Sequence, residues 1–138
     1  MSAPARIQLS RRKGFRLPDD AVNCARPGPL GNPFVAGKNG VRDRNAAVRL
    51  YLSLVQGLVC VSCGPPIEEQ RKAVHALRAQ IDALKGKSCA CWCALPKPGE
   101  PDICHAAVIL ALANHDDPRD RVRALKPILD GVFPEISA

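Results

Sequence analysis

Two stretches of the chain repeat apolar residues every three or four positions, which is the spacing of an amphipathic helix. In the first, residues 43–57, the apolar positions fall on one helix face, and Asp43 stands where an N-terminal cap belongs. The second, residues 65–84, opens on two prolines and is followed by Gly86 as a stop signal. The pattern therefore predicts two helices that each bury one face.

Three shorter segments have the pattern of strands. Residues 6–10 and 21–25 alternate apolar and polar positions, and residues 87–93 form a short apolar run between a glycine and a proline-rich loop. Residues 26–34 hold three prolines and two glycines, so we expect a rigid loop of defined shape there.

The last third of the chain predicts two more helices. Residues 103–113 are almost wholly apolar, so this helix should be buried on most sides, with Asp102 as its N-terminal cap. A final helix is expected to begin with Asp117 as cap and Pro118 in its first turn, and to stop or kink near Pro127.

Strands separated by helices predict a small single α/β domain in which a short sheet is covered by helices. We expect the domain to span residues 6–130, with flexible termini at 1–5 and 131–138. The longest apolar run, residues 106–113, is too short to cross a bilayer, and the charged N-terminus does not fit a signal peptide. The sequence therefore indicates a cytoplasmic protein with no membrane partner.

The positive charge is confined to one part of the chain. Of the 138 residues, the first fifty hold ten basic and three acidic side chains, whereas the remainder holds ten of each, so the whole net charge of +7 lies in the N-terminal part. Clustered arginines favour an anionic partner such as nucleic acid, a nucleotide or a phosphorylated small molecule. The alternative is a solvated basic face that keeps the protein in solution.

Seven cysteines in a chain of this kind indicate metal or thiol chemistry rather than a disulfide framework. Cys89, Cys91 and Cys93 recur at period two, so on a strand they point to one face. Cys104 and His105 follow at the start of the next predicted helix. Because a strand end and the following helix start meet at one edge of an α/β sheet, we expect these side chains to converge.

Three hypotheses fit this cysteine pattern. In the first, Cys91, Cys93, Cys104 and His105 bind a metal ion, with zinc as the expected cofactor. In the second, Cys104 is a catalytic thiolate activated by the helix N-terminus and assisted by His105. In the third, the cysteines are small buried residues that only pack.

A further pair, Cys60 and Cys63, has the Cys-x-x-Cys spacing of zinc sites and redox enzymes. Its surroundings do not give a strand followed at once by a helix, so we interpret it as packing or as a second-choice ligand pair. Cys24 stands alone and is expected to be buried.

The motifs RKGFRLP, VNCARPGPLGNPF, ALKGKSCACWCALP and CHAAVILALAN together resemble a family named domain of unknown function 4326, found in bacteria and often in phages. The resemblance runs from about Arg6 to Asn114, and this chain departs from it in a longer loop at 94–103 and in the segment of Cys60 and Cys63. No activity is settled for the family, but the resemblance favours joint action of the loop near Asn32 and the cysteines. The family pattern falls on Gly14, Arg16, Pro18, Arg26, Pro27, Gly31, Asn32, Pro33, Phe34, Gly86, Cys91, Trp92, Cys93, Cys104 and His105.

The leading functional hypothesis is a domain that binds a nucleotide-like or nucleic-acid anion, with or without catalysis, in a cleft between the 26–34 loop and the start of the Cys104 helix. The alternative is a zinc-stabilised, non-catalytic interaction module that contacts nucleic acid or a protein partner. A third hypothesis, an accessory or inhibitor protein of phage origin, rests on the family's distribution alone. The expected ligand contacts are Arg16, Arg26, Asn32 and Phe34; the expected catalytic groups are Cys104 and His105.

Overall fold

The sheet consists of three short parallel strands, with the last one in the chain at its centre. A computed structural model describes residues 3–133. Within them the strands are β1 (Arg6–Gln8), β2 (Ala21–Asn23) and β3 (Ser88–Cys91), in the order β1-β3-β2. The predicted α/β class and all three predicted strands are therefore confirmed.

Strand β3 is central because its sequence suits burial on both faces. All four of its residues are buried, as expected for a strand with neighbours on both edges. The pairing aligns Ile7 and Val22 with Ala90 and Cys89, respectively. Beyond the strand ends, the Cys24 N–H donates to the Ala90 carbonyl at 2.8 Å, which brings the segment after β2 to the end of β3.

Of the four helices within the described residues, α3 packs directly on the sheet, and the others pack on α3 or on one another. Helix α3 has an almost entirely apolar sequence and lies at the centre, in contact with β1, β3, α1 and α4. Its buried position follows from that sequence, because no face of the helix is polar enough to face water. The helices are α1 (Arg44–Val55), α2 (Ile67–Gln80), α3 (His105–Ala113) and α4 (Pro118–Val132).

The predicted cap of α3 is wrong. The helix begins at His105, and the extended residue before it, Cys104, is the N-cap. The Asp102 carboxylate instead accepts a hydrogen bond from Arg6 Nε, whose side chain is only 4% exposed. A buried guanidinium needs a carboxylate partner more than a helix end needs a side-chain cap, so the aspartate is drawn away from the helix.

A stop of α4 near Pro127 is also wrong, whereas the predicted start of the helix is confirmed. Asp117 accepts a hydrogen bond from the Arg119 N–H, but the helix continues through Pro127 to Val132. Ile128 and Val132 are buried beyond the proline, and their packing holds the last turns in place. The expectation of flexible termini falls partly on residues 1–2 and 134–138, which lie outside the described residues.

None of the helices within residues 3–133 is both long and apolar enough to cross a membrane.

Candidate functional site

Three cysteine side chains meet at the carboxyl edge of the sheet. Cys91 ends β3, Cys93 follows two residues later, and Cys104 is the N-cap of α3. Their Sγ atoms all lie within 4.8 Å of one another, and those of Cys91 and Cys93 are 4.0 Å apart. Cys91 and Cys104 are buried and Cys93 is half-buried. We call these three residues the cysteine cluster.

The distances within the cysteine cluster suit a metal ion. Two sulfurs bonded to one zinc ion at about 2.3 Å in a tetrahedral arrangement lie roughly 3.8 Å apart, close to the separation of Cys91 and Cys93. Thiolate sulfur is a preferred ligand of soft and borderline metal ions. The cluster could therefore hold a metal ion with three ligands from the end of β3, the loop after it and the start of α3.

Contacts among the three thiols shift their pKa values in different directions. Hydrogen bonds from Cys104 and then Cys93 hold the pKa of Cys91 far below its ordinary value. The same contacts with Cys91 and Cys93, together with burial, raise the pKa of Cys104. Hydrogen bonding with Cys104 is the largest single effect on the pKa of Cys93 and lowers it. The effects of Cys91 and of burial together outweigh it, so the net shift of the pKa is upward. Cys91 is therefore the thiol of the cluster that ionises most readily.

His105 lies beside the cysteine cluster and is oriented by its own contacts. Its Nε2 atom is 2.6 Å from the Cys24 carbonyl oxygen, so Nε2 carries the proton and donates it. The edge of the Tyr51 ring packs against the imidazole, with centroids 5.4 Å apart. The imidazole also helps to lower the pKa of Cys91. These contacts fix the ring beside the cysteine cluster, but neither ring nitrogen lies within 4.8 Å of all three sulfurs.

A cavity of about 260 Å³ adjoins the cysteine cluster. Its lining includes residues of the proline loop, by which we mean residues 26–34, and the cluster with His105. Arg44, the first residue of α1, and Trp92 also line the cavity. Among the described residues that line it, no side chain carries a carboxylate. Arginine and cysteine side chains therefore line the same cavity.

The proline loop keeps its shape through hydrogen bonds to its own backbone. Arg26 Nη1 donates to the carbonyls of Asn32 and Phe34 at 3.0 and 3.3 Å. Asn32 Oδ1 accepts from the Phe34 N–H at 3.0 Å, and its Nδ2 donates to the Ala47 carbonyl at 3.2 Å. A Cβ at Gly31 would lie 2.8 Å from Arg26 Cγ, so only glycine fits beneath that arginine. The loop is thus preformed rather than shaped by a ligand.

Two exposed side chains at the cavity have the chemistry of ligand contacts. Arg44 is exposed, and its charge lowers the pKa of the nearby Cys93 thiol in opposition to the larger upward effects. Trp92 is 46% exposed, and the Arg11 guanidinium lies 5.2 Å from its ring centroid. An exposed indole beside arginines is suited to stack on a planar base while the arginines contact phosphate.

The family model described as Domain of unknown function (DUF4326) matches residues 7–115 of the chain. The chain belongs to this family. The match covers β1 to the end of α3 and therefore contains the proline loop, the cysteine cluster and the cavity between them. No curated protein and no solved structure matches the chain.

The structure of this DUF4326 chain brings most of the predicted site residues to one place. Arg16 is exposed in the segment before β2 and does not line the cavity. Asn32 and Phe34 line it as buried supports. Asn32 accepts from the Phe34 N–H and donates to the Ala47 carbonyl of α1, and Phe34 packs in a small core with Val41 and Leu54. The predicted residues that line the cavity are Arg26, Asn32, Phe34, Cys91, Cys93, Cys104 and His105.

Sequence reasoning missed two residues of the DUF4326 cavity. Arg44 has no signal beyond its place directly after the helix cap Asp43, and its neighbours at the cavity are remote in sequence. Trp92 enters the sequence analysis only as a position of the family pattern, although it is the single tryptophan of the chain and lies between Cys91 and Cys93. That position could have drawn attention to it.

Proposed function

We propose that this protein is a zinc-stabilised domain that binds a nucleotide-like anion in the cavity beside the cysteine cluster. One observation carries the proposal: three sulfurs within 4.8 Å of one another line the same cavity as Arg26, Arg44 and the exposed Trp92. A metal site and a cationic, aromatic ligand site would thus adjoin the same cavity.

Zinc fits the donor set better than the harder cations. Three thiolates favour zinc over magnesium or calcium, which take oxygen ligands. His105 is the fourth ligand that we propose. Its ring nitrogens are not within 4.8 Å of all three sulfurs, so the ring would have to move towards them. Its Nε2 already lies on the Cys24 carbonyl, and metal-bound histidines commonly donate their other ring N–H to a backbone carbonyl. A site closed by Cys91, Cys93, Cys104 and His105 would stabilise the fold rather than activate a water molecule.

The charge balance directs the anion to the arginines and not to the metal. A zinc ion with three thiolates carries a net charge of −1, so phosphate gains nothing from approaching it directly. Arg44 is exposed beside the cavity, and Arg26 presents the part of its guanidinium that the proline loop does not use. The base of the ligand would stack on Trp92.

A catalytic thiol is the second candidate, and the geometry favours it less. Cys104 lies at a helix N-terminus, as a reactive thiolate often does. However, it is buried, and its proton is held in a hydrogen bond to Cys91, which raises its pKa. A nucleophile needs the opposite shift. The ligand role therefore suits Cys104 better.

The proposed zinc site requires a reducing compartment such as the cytoplasm. All seven cysteines are free thiols, and zinc–thiolate ligation persists where the surroundings are reducing. We therefore also propose a cytoplasmic location.

Fluorescence titration of the zinc-loaded protein tests the proposed ligand site. Trp92 is the only tryptophan, so its emission reports on this cavity alone. We expect saturable quenching by a nucleoside diphosphate, with weaker binding of inorganic phosphate. Arg44→Ala should raise the Kd about tenfold, which is about 1.4 kcal/mol. Arg78→Ala on the remote face of α2 is the matched control and should leave the Kd unchanged.

The salt dependence separates a pocket for a small anion from a surface for nucleic acid. A pocket that contacts one or two phosphates predicts a shallow fall of affinity with salt, whereas single-stranded nucleic acid on the basic segment predicts a steep one. Absence of quenching by every nucleotide and oligonucleotide tested, or an Arg44→Ala variant that binds as the wild type does, would refute the ligand site.

A further inference from the structure

The segment between α1 and α2 holds a second pair of thiols, separate from the cysteine cluster. Cys60 and Cys63 are both half-buried, and their Sγ atoms are 2.7 Å apart. They line a shallow surface depression whose lining residues include none of those around the cluster cavity. A disulfide bond is about 2.05 Å long, so the two sulfurs need to approach by less than about 1 Å to form one.

A buried glutamine holds this segment in place. Gln70 of α2 is fully buried, and its Oε1 accepts from the Cys60 N–H at 2.8 Å. Its Nε2 donates to the carbonyls of Cys60 and Pro65 at 2.9 and 2.8 Å. Gly64 adds a further fixed point, because its φ is +82° and a Cβ there would lie 2.5 Å from the Phe34 ring. The backbone on both sides of the thiols is therefore preorganised.

The two thiols are electronically different, as the members of an exchanging pair must be. A hydrogen bond from Cys63 is the main reason why the pKa of Cys60 is lowered, and the Ser62 hydroxyl, 3.7 Å from Cys60 Sγ, acts in the same direction. The pKa of Cys63 is raised by the same bond. Cys60 is thus the more readily ionised thiol, and Cys63 is the neighbour that stabilises its thiolate form. Between them, Val61 is 82% exposed, so a partner reaches the pair without opening the fold.

We propose that Cys60 and Cys63 form a dithiol–disulfide redox site that exchanges with low-molecular-weight disulfides such as glutathione disulfide. The Cys60 thiolate attacks one sulfur of the disulfide, and the first glutathione leaves as a thiolate that takes up the proton Cys60 has lost. Cys63 then loses its proton and attacks the Cys60 sulfur of the mixed disulfide, and the second glutathione leaves and takes up that proton. Two electrons and two hydrogens pass from the cysteines to one glutathione disulfide.

Mass spectrometry of the full zinc-loaded chain in glutathione buffers of graded oxidation tests the proposal. The wild type should lose two hydrogens reversibly, and differential alkylation with peptide mapping should place the bond between Cys60 and Cys63. In Cys63→Ser the mixed disulfide should persist on Cys60, with an occupancy at least about tenfold above that of the wild type, because no neighbouring thiol displaces it. Val61→Ala is the matched control and should behave as the wild type does.

Three results would contradict the proposed redox site, and each of them can be observed with the wild-type chain alone. Both thiols could stay reduced in the most oxidising buffer. Glutathione could accumulate on both cysteines without an internal bond. A second metal ion could bind the pair and block its alkylation, which would make it a ligand pair. None of these results bears on the cysteine cluster, since the alkylation map distinguishes the seven cysteines.

Discussion

Replacing Asn32 by aspartate should reveal how firmly the proline loop is held. The Asn32 side chain is almost completely buried, at 3% exposed. Its oxygen accepts from the Phe34 N–H and its amide donates to the Ala47 carbonyl. Asn32→Asp keeps the first bond and turns the second donor into an acceptor that faces a carbonyl oxygen. The variant therefore tests one hydrogen bond with little change of volume.

We expect Asn32→Asp to lower the unfolding free energy strongly at neutral pH and only slightly in acid. A buried acceptor that loses its donor costs about 1–3 kcal/mol, and a buried carboxylate adds a desolvation penalty. If burial raises the folded-state pKa of the new carboxyl about two units above the ordinary 3.9, the variant loses roughly 2.7 kcal/mol of unfolding free energy at pH 7. Because the folded pKa is the higher one, the penalty is least below about pH 4 and grows to its full size near pH 6.

Urea unfolding followed by far-UV circular dichroism, at several values between about pH 4 and pH 8, measures this difference. Asn23→Asp is the matched control. Asn23 is exposed, and its oxygen accepts from the Ala25 N–H, a bond that aspartate also makes. We expect the control to stay within about 0.5 kcal/mol of the wild type. A penalty for Asn32→Asp that is independent of pH, or no penalty at pH 7, would refute the reasoning.

Three further predictions concern side chains that hold the site from outside. Asp102→Ala should leave the Arg6 guanidinium buried without its carboxylate and lower the unfolding free energy by about 3–5 kcal/mol in urea. Asp43→Ala should be less stable than the wild type at neutral pH, because the hydrogen bond from the Ala46 N–H holds the pKa of Asp43 low. In urea unfolding, the difference in unfolding free energy between variant and wild type should vanish as the pH falls below about 4. Gln70→Leu should cost roughly 3 kcal/mol in the same assay and slow disulfide formation in glutathione buffer.

Local signals in the sequence predict the elements and the position of the cysteine cluster. Asp43 and Asp117 cap their helices as expected, because a cap depends on only the next three residues. The convergence of Cys91 and Cys104 follows from period-two spacing on a strand and from the rule that strand ends and helix starts share a sheet edge. Both inferences use short stretches of chain.

Local sequence patterns do not predict structural features that depend on residues far away in the chain. Asp102 has the sequence context of a helix cap, but its partner, Arg6, is 96 positions away. Pro127 has the context of a helix end, and only the burial of Ile128 on the core explains why α4 continues. Arg44 lines the cavity because α1 packs against α3, which no pattern around that arginine indicates. Tertiary packing therefore decides which polar residues support the site and which face a ligand.

The metal content of the protein tests the central claim most directly. Native mass spectrometry of the full chain, equilibrated with zinc and then freed of excess metal, should show one zinc ion per chain. Cys93→Ser should lose that ion, because it removes one of the three sulfurs of the cluster, whereas Cys60→Ser should keep it as a matched cysteine control. A wild-type spectrum at the bare chain mass, or zinc retained in Cys93→Ser and lost in Cys60→Ser, would contradict the account.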